Sequence, residues 1–98
     1  ASLCYGVLDL GRVIPMRPPE LRVDQNGLVH VLHLTSPSLF VHSVFSADGE
    51  LVAQQTHAGD ASRVKLEPDA ESGYGVTGVG ISPPRDPFID TLPGRKRL

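Results

Sequence analysis

Tryptophan is absent from this chain, cysteine and methionine occur once each, and aromatic residues make up only 5% of the sequence. A single cysteine, Cys4, excludes an intrachain disulfide, and with it a small disulfide-stapled secreted module. Cys4 lies in the apolar run Leu3-Cys4-Tyr5-Gly6-Val7-Leu8 with no cationic neighbour to stabilise a thiolate, so it reads as a buried small hydrophobe. Tyr5, Phe40, Phe45, Tyr74 and Phe88 are too few to line a groove that stacks bases or sugars. No apolar run approaches the roughly 20 residues of a membrane-spanning helix, and no stretch of about ten residues keeps a helical period. No signal-peptide pattern is visible, and an intracellular setting is the expectation. The chain begins at Ala1 rather than Met, as a processed product or a fragment of a longer protein does.

What remains is an aliphatic, moderately charged chain of 98 residues, 40% apolar and 20% charged, which fits one globular domain. The formal charge of −2 hides an asymmetry. Arg95, Lys96 and Arg97 close the chain; without them 11 acidic residues face 6 of the 9 basic ones. The acidic body argues against a nucleic-acid footprint, so nucleic acid is not an expected partner.

Short apolar-polar segments cut by turn dipeptides occupy residues 21–81. Asn26-Gly27 and Asp48-Gly49 each stand between two such segments, and both predict hairpins with two-residue turns of positive φ. Residues 20–24 alternate, with Leu21 and Val23 inward and Glu20, Arg22 and Asp24 outward. Residues 28–34 are apolar on both parities, with His30 on the face of Leu28, Leu32 and Leu34, and His33 on the face of Val29 and Val31. A strand of that kind is central or lies at an interface. In the next, Leu39, Val41, Ser43 and Phe45 oppose Phe40, His42 and Val44. A strand then starts at Leu51, a loop is expected at residues 57–60, Val64 and Leu66 point inward, and residues 68–73 form a loop. Residues 74–82 are the last strand, whose Gly75, Gly78 and Gly80 predict a bulge or a close approach by another backbone or a ligand.

These units, with one or two further strands in residues 1–14 and a Pro-rich connector at 15–19, predict an all-β domain over residues 1–82. An antiparallel β-sandwich of about six to seven short strands is preferred, with a small β-barrel as the alternative. Prolines at 83, 84, 87 and 93 mark residues 83–98 as an extended basic tail without much packing. The expected core is Leu21, Val23, Leu32, Leu34, Val41, Phe45, Leu51, Val64, Leu66, Val76, Val79 and Ile81. The succession Val44-Phe45-Ser46-Ala47-Asp48-Gly49-Glu50-Leu51-Val52, then Val64-Lys65-Leu66, then Gly73-Tyr74-Gly75-Val76-Thr77 resembles the hairpin and closing strands of immunoglobulin-like and fibronectin-type domains. The closing Gly-Tyr-Gly-Val departs from that pattern by one residue of spacing, and the match covers under half of the chain. The resemblance implies architecture and nothing catalytic.

Chemistry-bearing motifs are sparse. His30 and His33 point to opposite faces of one strand and cannot share a metal. His30 and His42 can meet across paired strands, with His57 joining from a loop, but there is no H-x-H pair and no carboxylate at a helpful spacing. The plainer expectation is histidines satisfied by hydrogen bonds, so no metal, cofactor or catalytic residue is assigned. No G-x-S-x-G elbow exists for a nucleophile. Glu67, Asp69 and Glu71 alternate, but Pro68 stiffens the segment and the spacing misses the EF-hand pattern. Gly73-Tyr74-Gly75-Val76-Thr77-Gly78 spells G-x-G-x-x-G without the helix that a phosphate loop requires. In the tail, Ser82-Pro83-Pro84-Arg85 has the form of a proline-directed kinase site. Arg95-Lys96-Arg97 has that of an import or dibasic cleavage signal, and Lys96-Arg97-Leu98 that of a cyclin-docking motif.

The function that follows is a non-enzymatic interaction or assembly domain, with a protein partner or a second copy meeting a sheet edge or an apolar outer face. Val29, Val31, His33, Phe40, His42 and Val44 are the expected interface. A small OB-like barrel holding a nucleic-acid strand or a peptide through Arg63, Lys65 and the basic tail is the alternative, and a histidine metal-binding domain is the weaker one.

Overall fold

The computed structural model describes residues 18–60, 63–69, 73–78, 80–84 and 86. Cys4, the strands expected in residues 1–14, most of the 15–19 connector, Val79, Arg85 and the motif Arg95-Lys96-Arg97 lie outside them. The described chain is all-β, with six strands in two antiparallel sheets. The strands are β1 (Glu20–Val23), β2 (Val29–Ser36), β3 (Leu39–Phe45), β4 (Leu51–Ala58), β5 (Lys65–Asp69) and β6 (Gly73–Thr77). The first four form one sheet in chain order, and β5 and β6 form the second.

Both expected hairpins are present, but their turns are of another type. Among the described residues no non-glycine has positive φ, so neither is a two-residue turn with both central residues left-handed. Instead, Gly27 N–H donates to Asp24 O (3.0 Å) and Asp24 N–H to Leu28 O (2.9 Å), with Gly27 at φ 81°. The second loop repeats this, Gly49 N–H to Ser46 O (2.9 Å) and Ser46 N–H to Glu50 O (2.8 Å), with Gly49 at φ 90°. Only the last turn residue needs the left-handed region, and glycine occupies it in both. Elsewhere the boundaries shift. His57 and Ala58 belong to β4 rather than to a loop, Pro68 and Asp69 to β5, and β6 ends at Thr77 rather than at Ser82.

Register decides what is buried. On one face of the larger sheet, β2, β3 and β4 align three rows: His30–Val44–Ala53, Leu32–His42–Gln55 and Leu34–Phe40–His57. Leu32, Leu34 and Phe40 pack with Leu66 and Val76 of the second sheet and with Val64 and Ile81 beside it, with Tyr74 at the margin. Leu28 and Val44 form a separate cluster with Ala53. β2 is buried on both sides, as its unbroken apolar sequence requires of an inner strand.

Three core expectations fail. Leu21, Val23 and Leu51 are 51%, 56% and 53% exposed. They stand on the two edge strands, on the face turned away from β5 and β6. On that face the inner-strand residues Val31, His33, Val41, Ser43 and Phe45 are buried, while the flanks are not. Asp24, expected outside, is buried, and so is Asp86 within the stretch expected to be unpacked.

These differences set an expected contrast. Phe40→Ala removes the largest fully buried side chain and lowers stability by about 3–5 kcal/mol. Leu21→Ala changes it by less than about 0.5 kcal/mol. Urea denaturation, with an unchanged slope and a shifted midpoint, measures both.

Candidate functional site

The three rows place a histidine at each step of a diagonal: His30 in the first row on β2, His42 in the second on β3, His57 in the third on β4. Diagonal neighbours on one face of an antiparallel sheet are within reach of ring side chains. His30 and His42 stack with centroids 5.2 Å apart, and His57 stacks on Phe40 at 5.4 Å. All three histidines are fully buried.

A continuous chain of polar contacts runs along the diagonal. His30 Nε2 lies 2.8 Å from Asp24 Oδ2, and His30 Nδ1 lies 2.9 Å from His42 Nε2. His42 Nδ1 approaches Asp86 Oδ2 at 3.0 Å. Asp86 Oδ1 meets His57 Nε2 at 2.6 Å, and His57 Nδ1 meets the Pro83 carbonyl oxygen at 2.7 Å. The ends are anchored in backbone. Asp24 Oδ1 accepts from Asn26 N–H (2.8 Å) and Leu28 N–H (3.0 Å), and Asp86 Oδ2 accepts from Val76 N–H (3.2 Å). Gly73 closes over the first end: a Cβ there would fall 2.5 Å from Asp24 Cβ.

The partners determine the protons. Both Asp24 oxygens accept, so it acts as a carboxylate and His30 Nε2 carries hydrogen. Both partners of His57, a carboxylate and a carbonyl, can only accept, so both of its nitrogens carry hydrogen and the ring is an imidazolium. His42 Nδ1 faces a carboxylate and is protonated. Between His30 Nδ1 and His42 Nε2 one nitrogen donates and the other accepts. Five of the six ring nitrogens therefore bear protons, and the two carboxylates balance two positive charges.

The local electrostatics agree. Burial lowers the His30 pKa below 6.5, the nearby His42 adds to that, and the Asp24 hydrogen bond does not compensate. Burial also opposes charge on His57, but the hydrogen bond and charge of Asp86, with the Pro83 carbonyl, raise its pKa above 6.5. Burial alone would raise Asp86; hydrogen bonds and charge from His42 and His57 hold it well below the ordinary carboxylate range.

The sequence-based residues separate accordingly. His30, His42 and His57 do come together, with His57 on a strand. Ring nitrogens that point at each other cannot both point at an ion, and among the described residues no three His, Cys, Asp or Glu groups are placed to hold one. Of the expected interface, Val31, His33, Phe40, His42 and Val44 are buried within the single chain and Val29 is half-buried. Ser82 pairs with Ala58 through two backbone bonds of 2.9 Å. Lys65 pairs with Glu67 at 3.0 Å, and Arg63 with Asp60 at 3.4 Å. Residues 73–77 of the glycine motif are strand β6, and a Cβ on Gly78 would meet Val64 Cγ2 at 3.0 Å, so glycine serves packing there. Asp24 and Asp86 were not anticipated. Asp24 carried a usable signal, since an Asp opening a turn caps the amides that follow; Asp86, between prolines, carried none.

Asp86→Asn should lower stability by about 3–5 kcal/mol, because His57 would retain buried charge without its counter-ion. Lys65→Gln, which breaks an exposed pair, should change it by less than about 1 kcal/mol. Urea titration of both variants near neutral pH makes the comparison.

Comparison with known protein families, with curated proteins and with solved structures finds no match.

Proposed function

We propose that this is a non-enzymatic assembly domain that adds a strand, from a second copy of the same chain, to the outer edge of β4. The observation that carries this reading is the character of that edge. β4 is eight residues long, ends the sheet order among the described strands, and contains neither Pro nor any Asp, Glu, Lys or Arg. Leu51 and Val52 are 53% and 39% exposed, and Gln54 and Thr56 are exposed as well. Soluble proteins ordinarily guard such an edge with charge, proline or coverage. The opposite edge is guarded: β1 is four residues long, carries Glu20 and Arg22, and follows Pro18 and Pro19.

A second copy suits β4 because a strand whose exposed side chains carry no charge brings no like charges together when laid antiparallel to itself. Its glutamine amides offer donors and acceptors on both sides. Main-chain hydrogen bonds would supply most of the affinity, with Leu51 and Val52 adding apolar contact. The surface so proposed differs from the expected set of Val29, Val31, His33, Phe40, His42 and Val44, most of which the single chain already covers.

The non-enzymatic part of the reading rests on the burial of the histidine–aspartate chain, which leaves no ring nitrogen open to a substrate. A two-layer sandwich is the architecture we propose with it, supported by the apolar cluster that both sheets share. The sequential strand order favours a meander over the Greek key of immunoglobulin-like domains.

Light scattering over about a hundredfold range of concentration tests the assembly, since mass action makes a dimer concentration-dependent. The expected result is a mass rising toward twice the chain mass. Gln54→Lys combined with Thr56→Lys, which sets like charges on both copies, should weaken association about tenfold or more while leaving the fold intact. A wild-type chain that stays monomeric throughout, or a charged variant that associates equally well, overturns the proposal.

A further inference from the structure

Pro83 and Asp86 are held by the histidine diagonal rather than by a strand pairing of their own. Beyond the Ala58–Ser82 bridge, their described polar contacts are His57 with Pro83 O, His57 and His42 with Asp86, and Val76 N–H with Asp86. Asp86 thereby joins β3 and β4 of one sheet to β6 of the other. Every contact in that set except the one from Val76 N–H depends on a ring proton.

We propose that Asp24, His30, His42, Asp86 and His57 form a two-sided pH clasp, which holds Pro83 and Asp86 against both sheets only while five of the six ring nitrogens are protonated. Remove one proton and His57 must give up a bond, either to the Pro83 carbonyl or to Asp86, because a bare nitrogen cannot donate. Asp86 then loses the cationic neighbour that His57 supplied. Add one proton and the His30–His42 contact becomes two N–H groups facing each other at 2.9 Å, both on cations. Neither ring can then accept, and the diagonal must part.

Other charged groups near the chain do not replace these partners. From β1, Arg22 is the register partner of His30 and pairs with Glu20 at 3.8 Å, partly in solvent. From β6, the Tyr74 ring lies 5.7 Å from that of His30. From β5, Lys65 is engaged with Glu67. His33 stands on the opposite face of β2.

The two sides have opposite signs. His57 has a raised pKa, so its contribution is complete below 6.5 and is lost as pH rises through its folded value. His30 has a lowered pKa, so its contribution is complete above 6.5 and is lost as pH falls through its folded value. The clasp is therefore tightest near pH 6.5 and loosens in both directions, by at most about tenfold per pH unit for each proton.

Nitrogen NMR of the histidine rings reads the protons directly, and amide hydrogen exchange at Ala58, Ser82 and Val76 reads the clasp. Near pH 6.5 the rings of His30, His42 and His57 together should show one unprotonated nitrogen. Corrected for intrinsic exchange chemistry, protection of the three amides should peak there and fall on both sides. His57→Gln should abolish the alkaline decline and keep the acid one. Two or more unprotonated nitrogens near pH 6.5, protection flat across both titrations, or an alkaline decline that survives in His57→Gln overturns the proposal. The wild-type measurements decide it even if the variant fails to fold.

Discussion

Asp86 grips two histidines of one sheet and an amide of the other, a polar tie beside the apolar cluster that the two sheets share. β4 and β6 share no backbone pairing, yet His57 and Val76 meet at the two oxygens of a single carboxylate. A carboxylate without partners at that depth would be destabilising by several kcal/mol. Here its charge is matched by the His57 imidazolium and by the proton shared between His30 and His42, so the buried assembly is neutral as a whole. Neutrality is what allows five ionisable groups to sit in an aliphatic core with so few aromatics.

The diagonal also explains why the core is split. On the inner face of the larger sheet, Leu32, Leu34 and Phe40 fall on one side of the histidine line, Val44 and Ala53 on the other. Apolar contact alone would fix the alignment of β2, β3 and β4 poorly, since a two-residue slip keeps every side chain on its own face. Such a slip would move each ring one row from its partner and strand a buried charge. The polar line therefore penalises the misalignments that the hydrophobic pattern tolerates.

The inner elements were legible in the sequence for a physical reason. Residues 28–34 and 39–45 repeat at a period of two, and the glycines at 27 and 49 end turns that only glycine closes easily. Leu32, Leu34, Val41, Phe45, Val64, Leu66, Val76 and Ile81 are buried as their parity requires. Parity gives a face but not a neighbour, however, and so Leu21, Val23 and Leu51 were misjudged: an edge strand can point an aliphatic side chain at solvent. The site was half legible. Same-face histidines on successive strands announce a cluster, whereas their counter-ions come from a turn and from a segment after the last strand. Nothing in local pattern ties Asp86 to His57, 29 residues earlier.

β4 is where these constraints meet. Its inner face carries His57, sealed against Phe40 and Asp86, while its outer edge carries no Asp, Glu, Lys or Arg and, among the described residues, is open along most of its length. Among the described residues that edge is occupied only at Ala58, by Ser82, the first residue of the segment that His57 holds. One side chain on the inside of the strand thus anchors the segment that covers the end of its outside. A buried charge network and an exposed strand edge are usually separate problems for a fold; in this chain the same eight-residue strand answers to both.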